Sequence, residues 1–180
     1  MAKHTLCVFC GSSEGKNPRL HESINGLVTL LDDEDWDLVY GGARIGLMGM
    51  LADACLAKGI DVTGIMPETL VEREVAHRGL TRLEVVSGMH ERKQKMYALS
   101  DAFLILPGGF GTLDEAFEII TWKQIGYHAK PIGFWSFEGF FDHLTAHFQQ
   151  MQDWGLAAGS RKKLFEVYKD LAPLFRYFSS

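Results

Sequence analysis

Short apolar runs alternate with segments of helical character along this 180-residue chain, and three of those runs end in glycine- or serine-rich turns. There is no internal repeat and no low-complexity linker. Together these features predict an α/β fold: a Rossmann-like, doubly wound parallel sheet with helices on both faces, with residues 1–180 as a single domain. The runs are continuously apolar rather than alternating, as expected of strands covered on both faces.

In chain order, the first strand is expected over 5–10 and ends at Gly11-Ser12-Ser13. A helix over 18–31 follows, with Pro18 in its first turn, where the missing N–H is harmless. The acidic run 32–35 reads as a solvated loop. A second strand, 37–40, leads into Gly41-Gly42-Ala43-Arg44-Ile45-Gly46, and the helix 47–58 is stopped by Gly59. A third strand, 61–66, ends at Pro67, and the polar segment 68–79 reads as a short helix and loop. A strand over 83–86, a helix over 89–99 and a strand over 102–106 come next. The turn after them, Pro107-Gly108-Gly109-Phe110-Gly111, opens a helix over 113–124. A sixth strand is expected over 131–135 and helices over 140–150 and 161–171. The aromatic tail, with Phe175, Tyr177 and Phe178, packs back on the body or on a second subunit.

Bulk properties exclude several function classes. Net charge is −5 and the pI about 5.8, so no basic footprint argues for nucleic acid. No apolar run is long enough to span a bilayer, and the N-terminus runs into a strand without a signal-peptide pattern; a cytoplasmic protein is expected. The chain has 3 Cys. Cys7 and Cys10 have C-x-x-C spacing, but residues three apart on a strand point to opposite faces, so core thiols are expected rather than a redox or metal pair. His143 and His147 lack the Glu of a zinc-binding H-E-x-x-H helix.

A strand, a glycine-rich turn and a helix N-terminus in succession make an anion site, because glycine lets backbone approach a ligand and the first helical N–H groups point at it. Gly108-Gly109-Phe110-Gly111-Thr112 therefore reads as a phosphate cradle. The Gly11 turn does not match a P-loop, and the Gly41 turn does not match a dinucleotide fingerprint. Ser12 and Ser13 either cap their turn or touch a phosphate. Because ligands of such sheets lie outside the carboxyl ends of the strands, all three turns can gather at one edge.

Two side chains carry the chemistry, each with two readings. Thr112 and Glu115 are three apart, as in a capping box, where Glu115 bonds back to the Thr112 N–H; alternatively Glu115 reaches into the cleft beside a phosphate. Thr112 is accordingly N-cap or phosphate ligand. Arg92 shares a helix face with Met89 and Met96, so it either points inward to a partner or ligand, or snorkels past the methionines to water. Lys93 borders that stripe as a second phosphate candidate, and Lys95 reads as solvated.

The stretch PGGFGTLDE resembles the PGGxGTxxE signature of the LOG family, cytokinin-activating phosphoribohydrolases also labelled lysine decarboxylases. YGGARIGLMG, GMHERK, TWKQIGYHAKPIGF and the opening CVFCGSS resemble further family segments in the same order, over most of residues 5–135. Two positions depart from the pattern: Gly88 stands where the family has Asp, and Ala43 where it has a third glycine. The resemblance implies a nucleotide-binding domain that hydrolyses the N-glycosidic bond of a nucleoside 5′-monophosphate, either a cytokinin riboside monophosphate or AMP. Arg92 and Glu115 would be catalytic. Gly109, Gly111 and Thr112 would hold phosphate and ribose, with Lys93, Thr121 and Glu74 as further contacts. It also implies a homodimer with sites near the interface. No cofactor is expected, and a decarboxylase would need a pyridoxal site that no motif here supplies. The alternative reading is a non-catalytic nucleotide- or phosphate-binding module.

Overall fold

The alternating pattern folds into one seven-stranded sheet in the order β4-β3-β2-β1-β5-β6-β7. The strands are β1 (His4–Phe9), β2 (Trp36–Tyr40), β3 (Val62–Pro67), β4 (Arg82–Val86), β5 (Ala102–Ile105), β6 (Ile132–Trp135) and β7 (Glu166–Tyr168). Every pairing is parallel. The computed structural model describes residues 3–73, 75–157 and 163–179.

The helices among the described residues are α1 (Pro18–Asp33), α2 (Gly46–Ala57), α3 (Glu68–Val71), α4 (Met89–Leu99), α5 (Phe110–Gln124), α6 (Asp142–Asp153) and α7 (Leu171–Phe178). At the start of α1 the Asn17 side chain accepts the Arg19 N–H at 3.0 Å, with Pro18 at the first helical position. Gly59 adopts φ +80° just past α2, the left-handed position that ends a helix.

Strand side chains divide between two cores. Leu6, Val8 and Cys10 of the first strand and its end pack with α1, α2 and α7; Cys7 and Phe9 pack on the other face with α4 and α5. The two thiols thus face opposite ways, and burial pushes both well above the usual thiol range, so they behave as core side chains.

Two expectations are corrected. The described part of 161–171 is not a helix: Glu166–Tyr168 is β7, a seventh strand pairing with β6 at residues Gly133 to Trp135. The aromatic tail is α7, whose Leu174, Phe175 and Phe178 are buried against the sheet. The helix expected over 140–150 begins at Asp142, after a 3-10 turn Phe137–Gly139.

The chain winds outward from β1 through β4, then crosses back to place β5 on the other side of β1. The β1/β5 junction is therefore the topological switch point, where loops at the carboxyl ends diverge and leave a crevice. Gly11 and Ser12 follow β1 there, and Pro107 to Gly109 follow β5.

Candidate active site

At that crevice lies a cavity of about 400 Å³ lined by all three glycine-rich turns, through Gly11 and Ser12, Gly41, Ala43 and Ile45, and Gly109 to Thr112. Arg92 and Glu115 also line it.

The cradle is built differently from a capping box. Helix α5 begins at Phe110, with Gly109 as an extended N-cap that has no capping side chain. The first bond of the helix runs from the Leu113 N–H to the Gly109 carbonyl at 3.2 Å. The N–H groups of Phe110, Gly111 and Thr112 thus fall in the turn that has no intrahelical acceptors, at the positive end of the helix dipole. Thr112 is the third helical residue, and Glu115 lies a full turn further in. The capping-box reading fails, because a side chain at that depth cannot reach back to the cap.

Glu115 instead pairs with Arg92: guanidinium Nη1 and carboxylate Oε1 are 3.0 Å apart, and each residue is only 7% exposed. Arg92 sits on α4 above the buried Met96, while Met89 is half exposed and its sulfur lies 3.8 Å from Nη1. The inward reading of Arg92 is the one realised. Its Nε donates to the Ile65 carbonyl of β3 at 3.0 Å. Gly41 leaves room for this: a Cβ there would fall 2.0 Å from Arg92 Nη2. Gly108 serves the cradle in the same way, since a Cβ there would lie 2.1 Å from Thr112 Oγ1.

Burial is the largest influence on Glu115 and raises its pKa above the ordinary 4.5, with Arg92 pulling it back down. Arg92 on its own would hold the carboxylate in its charged form; desolvation outweighs it. The result is a carboxyl that takes up a proton at higher pH than a solvated glutamate.

Other expected site residues are placed elsewhere. Lys93 bonds Asp114 Oδ2 at 2.8 Å and Glu118 Oε2 at 2.9 Å, and with Thr121, His90, Phe117 and Trp122 lines a separate shallow hollow on the outer side of α4 and α5. The structure does not bring Lys93 or Thr121 into the chamber. Phe110 is 94% exposed at the chamber's rim, and Ser12 is exposed there too. Glu74 lies outside the described residues. Across the cradle is a second, mostly apolar cavity of about 470 Å³ that shares Gly11, Ser12 and Gly109 with the first. On its wall Glu138 is held by the Asn17 amide at 2.8 Å and Arg19 at 2.6 Å.

Sequence reasoning missed the wall of the chamber formed by Leu70 and Val75. Residues 75–77 run back along the Gly41 turn through an antiparallel bridge, Ala43 to Ala76. No local pattern announces a bridge between segments more than thirty residues apart.

Known proteins share both the fold and the sequence. The molybdenum cofactor carrier protein of Chlamydomonas reinhardtii superposes with a TM-score of 0.71, covering 99% of this chain and 100% of that one, at 15% identity; at that identity the likeness speaks for the fold alone. A family model described as "Possible lysine decarboxylase" matches residues 48–178. Cytokinin riboside 5′-monophosphate phosphoribohydrolase LOG2 of Arabidopsis thaliana is 40% identical over 159 residues, 88% of this chain and 75% of that protein. The probable cytokinin riboside 5′-monophosphate phosphoribohydrolase LOGL9 of Oryza sativa subsp. japonica is 42% identical over 169 residues, covering 94% and 74%. Matches of this extent and identity place the chain in the LOG family.

Proposed function

We propose that this protein is a nucleoside 5′-monophosphate phosphoribohydrolase, releasing a free base and ribose 5-phosphate, with a cytokinin riboside monophosphate or AMP as substrate. The observation that carries the reading is the Arg92–Glu115 pair, 3.0 Å apart and buried at the wall of a cavity whose rim is an uncapped helix N-terminus. The phosphate binds at the N–H groups of Gly109 to Thr112 and at Ser12, where backbone donors and the dipole favour an anion. That anchors the ribose over Glu115.

Glycosidic cleavage passes through an oxocarbenium-like state. The Glu115 carboxylate stabilises the positive charge on C1′ and orients a water. The water oxygen bonds to C1′ as the C1′–N bond breaks, and that bond's electron pair leaves with the base. Glu115 takes the proton from the water and passes it to the departing base, so the carboxylate is regenerated. Arg92 fixes the carboxylate and favours its charged form. Among the described residues lining the chamber Glu115 is the one carboxylate.

We read the chain as one nucleotide-binding domain, supported by its unbroken sheet, and as a cytoplasmic homodimer without nucleic-acid or membrane partners. No described helix is long and apolar enough to cross a membrane. The dimer is supported by the exposed Phe110, Phe117, Ile125 and Tyr127 on α5 and the turn after it. A base-release assay across nucleoside monophosphates tests the activity. A thermal shift with AMP but no free base would make the protein a binding module instead.

A further inference from the structure

Beyond the Arg92–Glu115 pair, one wall of the chamber is held by a side-chain clasp that does not itself line it. The segment from α3 to β4 contributes Leu70 and Val75 to the chamber. It is tied to the Gly41 turn by two backbone bonds, the Arg44 N–H to the Val75 carbonyl and the His77 N–H to the Gly42 carbonyl, both 2.9 Å. The apolar contacts of the strip 75–77 centre on a small cluster of Ala43, Met66 and Ala76, while Leu80 just beyond it packs on the first main core. Such a strip has little burial to hold it.

His77 supplies what burial does not. The Gly79 N–H donates to His77 Nδ1 at 3.1 Å. The ring proton is therefore on Nε2, which donates to Asp53 Oδ1 of α2 at 2.9 Å. The His77 side chain is largely buried, whereas that of Asp53 is mostly exposed. One imidazole thus joins three pieces: the β4-side turn at Gly79, the strip 75–77 and helix α2. The strip's partner is the turn whose Gly41 passes directly under the Arg92 guanidinium.

We propose that His77, clasped by Asp53, is a positioning residue for the hydrolysis. It holds the strip 75–77 against the Gly41 turn and so fixes Val75 in the wall against which the nucleotide is bound. The proposal rests on the phosphoribohydrolase reading for its substrate, and only for that. The clasp acts on binding geometry rather than on bond cleavage, so its loss shows in KM.

The test uses the full chain with Asp53→Ala, Asp53→Asn and His77→Ala. Asp53 is exposed, so its variants leave the cores intact. For Asp53→Ala and His77→Ala, KM for the nucleoside monophosphate should rise about tenfold while kcat stays within about twofold. Asp53→Asn keeps an oxygen to accept the Nε2–H and should restore the wild-type KM. Amide exchange at Arg44 and His77, whose N–H groups bridge strip and turn, should speed up in Asp53→Ala and not in Asp53→Asn. Unchanged exchange overturns the clasp. Faster exchange with an unchanged KM overturns the positioning role and leaves a structural one. Should the wild type release no base from any nucleotide, the functional reading falls. The dissociation constant for AMP, measured by calorimetry, then takes the place of KM in the same comparison.

Discussion

Helices α4 and α5 face each other through two ion-pair clusters made from consecutive cations, Arg92 with Glu115 and Lys93 with both Asp114 and Glu118. One step along a helix turns a side chain by about 100°, and that turn separates two environments. The inner pair lies against the chamber, with both residues 7% exposed. In the outer one the Asp114 side chain is 62% exposed. Burial raises Glu115 despite its arginine. At Lys93 burial pulls the other way, and the bonds to Asp114 and Glu118 outweigh it, so its pKa is also raised. Cation and carboxylate thus meet in both places, but burial decides the direction for Glu115 and the ion-pair bonds decide it for Lys93.

The difference is sharpest for activity. Glu115→Gln keeps the shape and an acceptor for Arg92 but removes the charge. The kcat should fall by about 10³-fold with KM little changed, while the unfolding midpoint drops, because the buried Arg92 keeps its charge without a carboxylate. Glu118→Gln, in the outer pair, should leave kcat near wild type. Equal losses in the two variants would erase the distinction.

The next largest effect is on stability. Arg92→Ala strands a buried carboxylate without its cation and should cost about 3–5 kcal/mol in urea unfolding. Part of that cost is avoidable by protonating Glu115, so the deficit should shrink in mildly acidic buffer.

Much of this site was legible in the chain, and the reasons differ by residue. Strand–turn–helix order was enough to bring the three glycine turns to one sheet edge, because a parallel sheet sends all its carboxyl ends the same way. Arg92 stayed open between an inward and a snorkelling reading, because the stripe that flanks it is only half core: Met96 is buried and Met89 half exposed. For Glu115 only the capping-box alternative fails: a glycine N-cap leaves no side-chain signature, so the start of α5 looked three residues later than it is. The β7 strand was hidden for another reason. It is three residues long and half-buried, on a sheet edge where pairing with β6 rather than local pattern decides its shape. The strip 75–77 is defined by long-range bonds alone.

The pH dependence separates the pairs by sign. Glu115 has a folded-state pKa above its unfolded value near 4.5. The native state therefore takes up that proton first as pH falls, and the stability that Glu115 costs above its raised pKa is recovered between that pKa and 4.5. Activity runs the other way: kcat/KM should drop as pH falls through the same raised value, at a higher pH than a solvated glutamate would set. Lys93 is raised from 10.5. It contributes stability that is fully present below 10.5 and lost as pH rises through the raised pKa. An acid limb of kcat/KM at or below 4.5 would show that Arg92, not burial, governs Glu115.

Lys93→Ala should have the smallest effect, and it is the most discriminating for the outer pair. The Lys93 side chain is 13% exposed and that of Asp114 62%, so water screens the pair on one side and its loss should cost about 1 kcal/mol, a smaller shift of the unfolding midpoint than Arg92→Ala gives. Two carboxylates already neutralise Lys93, and the chamber is lined without it. Substrate phosphate would have to displace both partners to reach it, so KM should stay within about twofold. A tenfold rise in KM that deepens on dilution would mean instead that the outer hollow meets the substrate of a second subunit. Both pairs would then serve the reaction, one within each chain and one across the dimer.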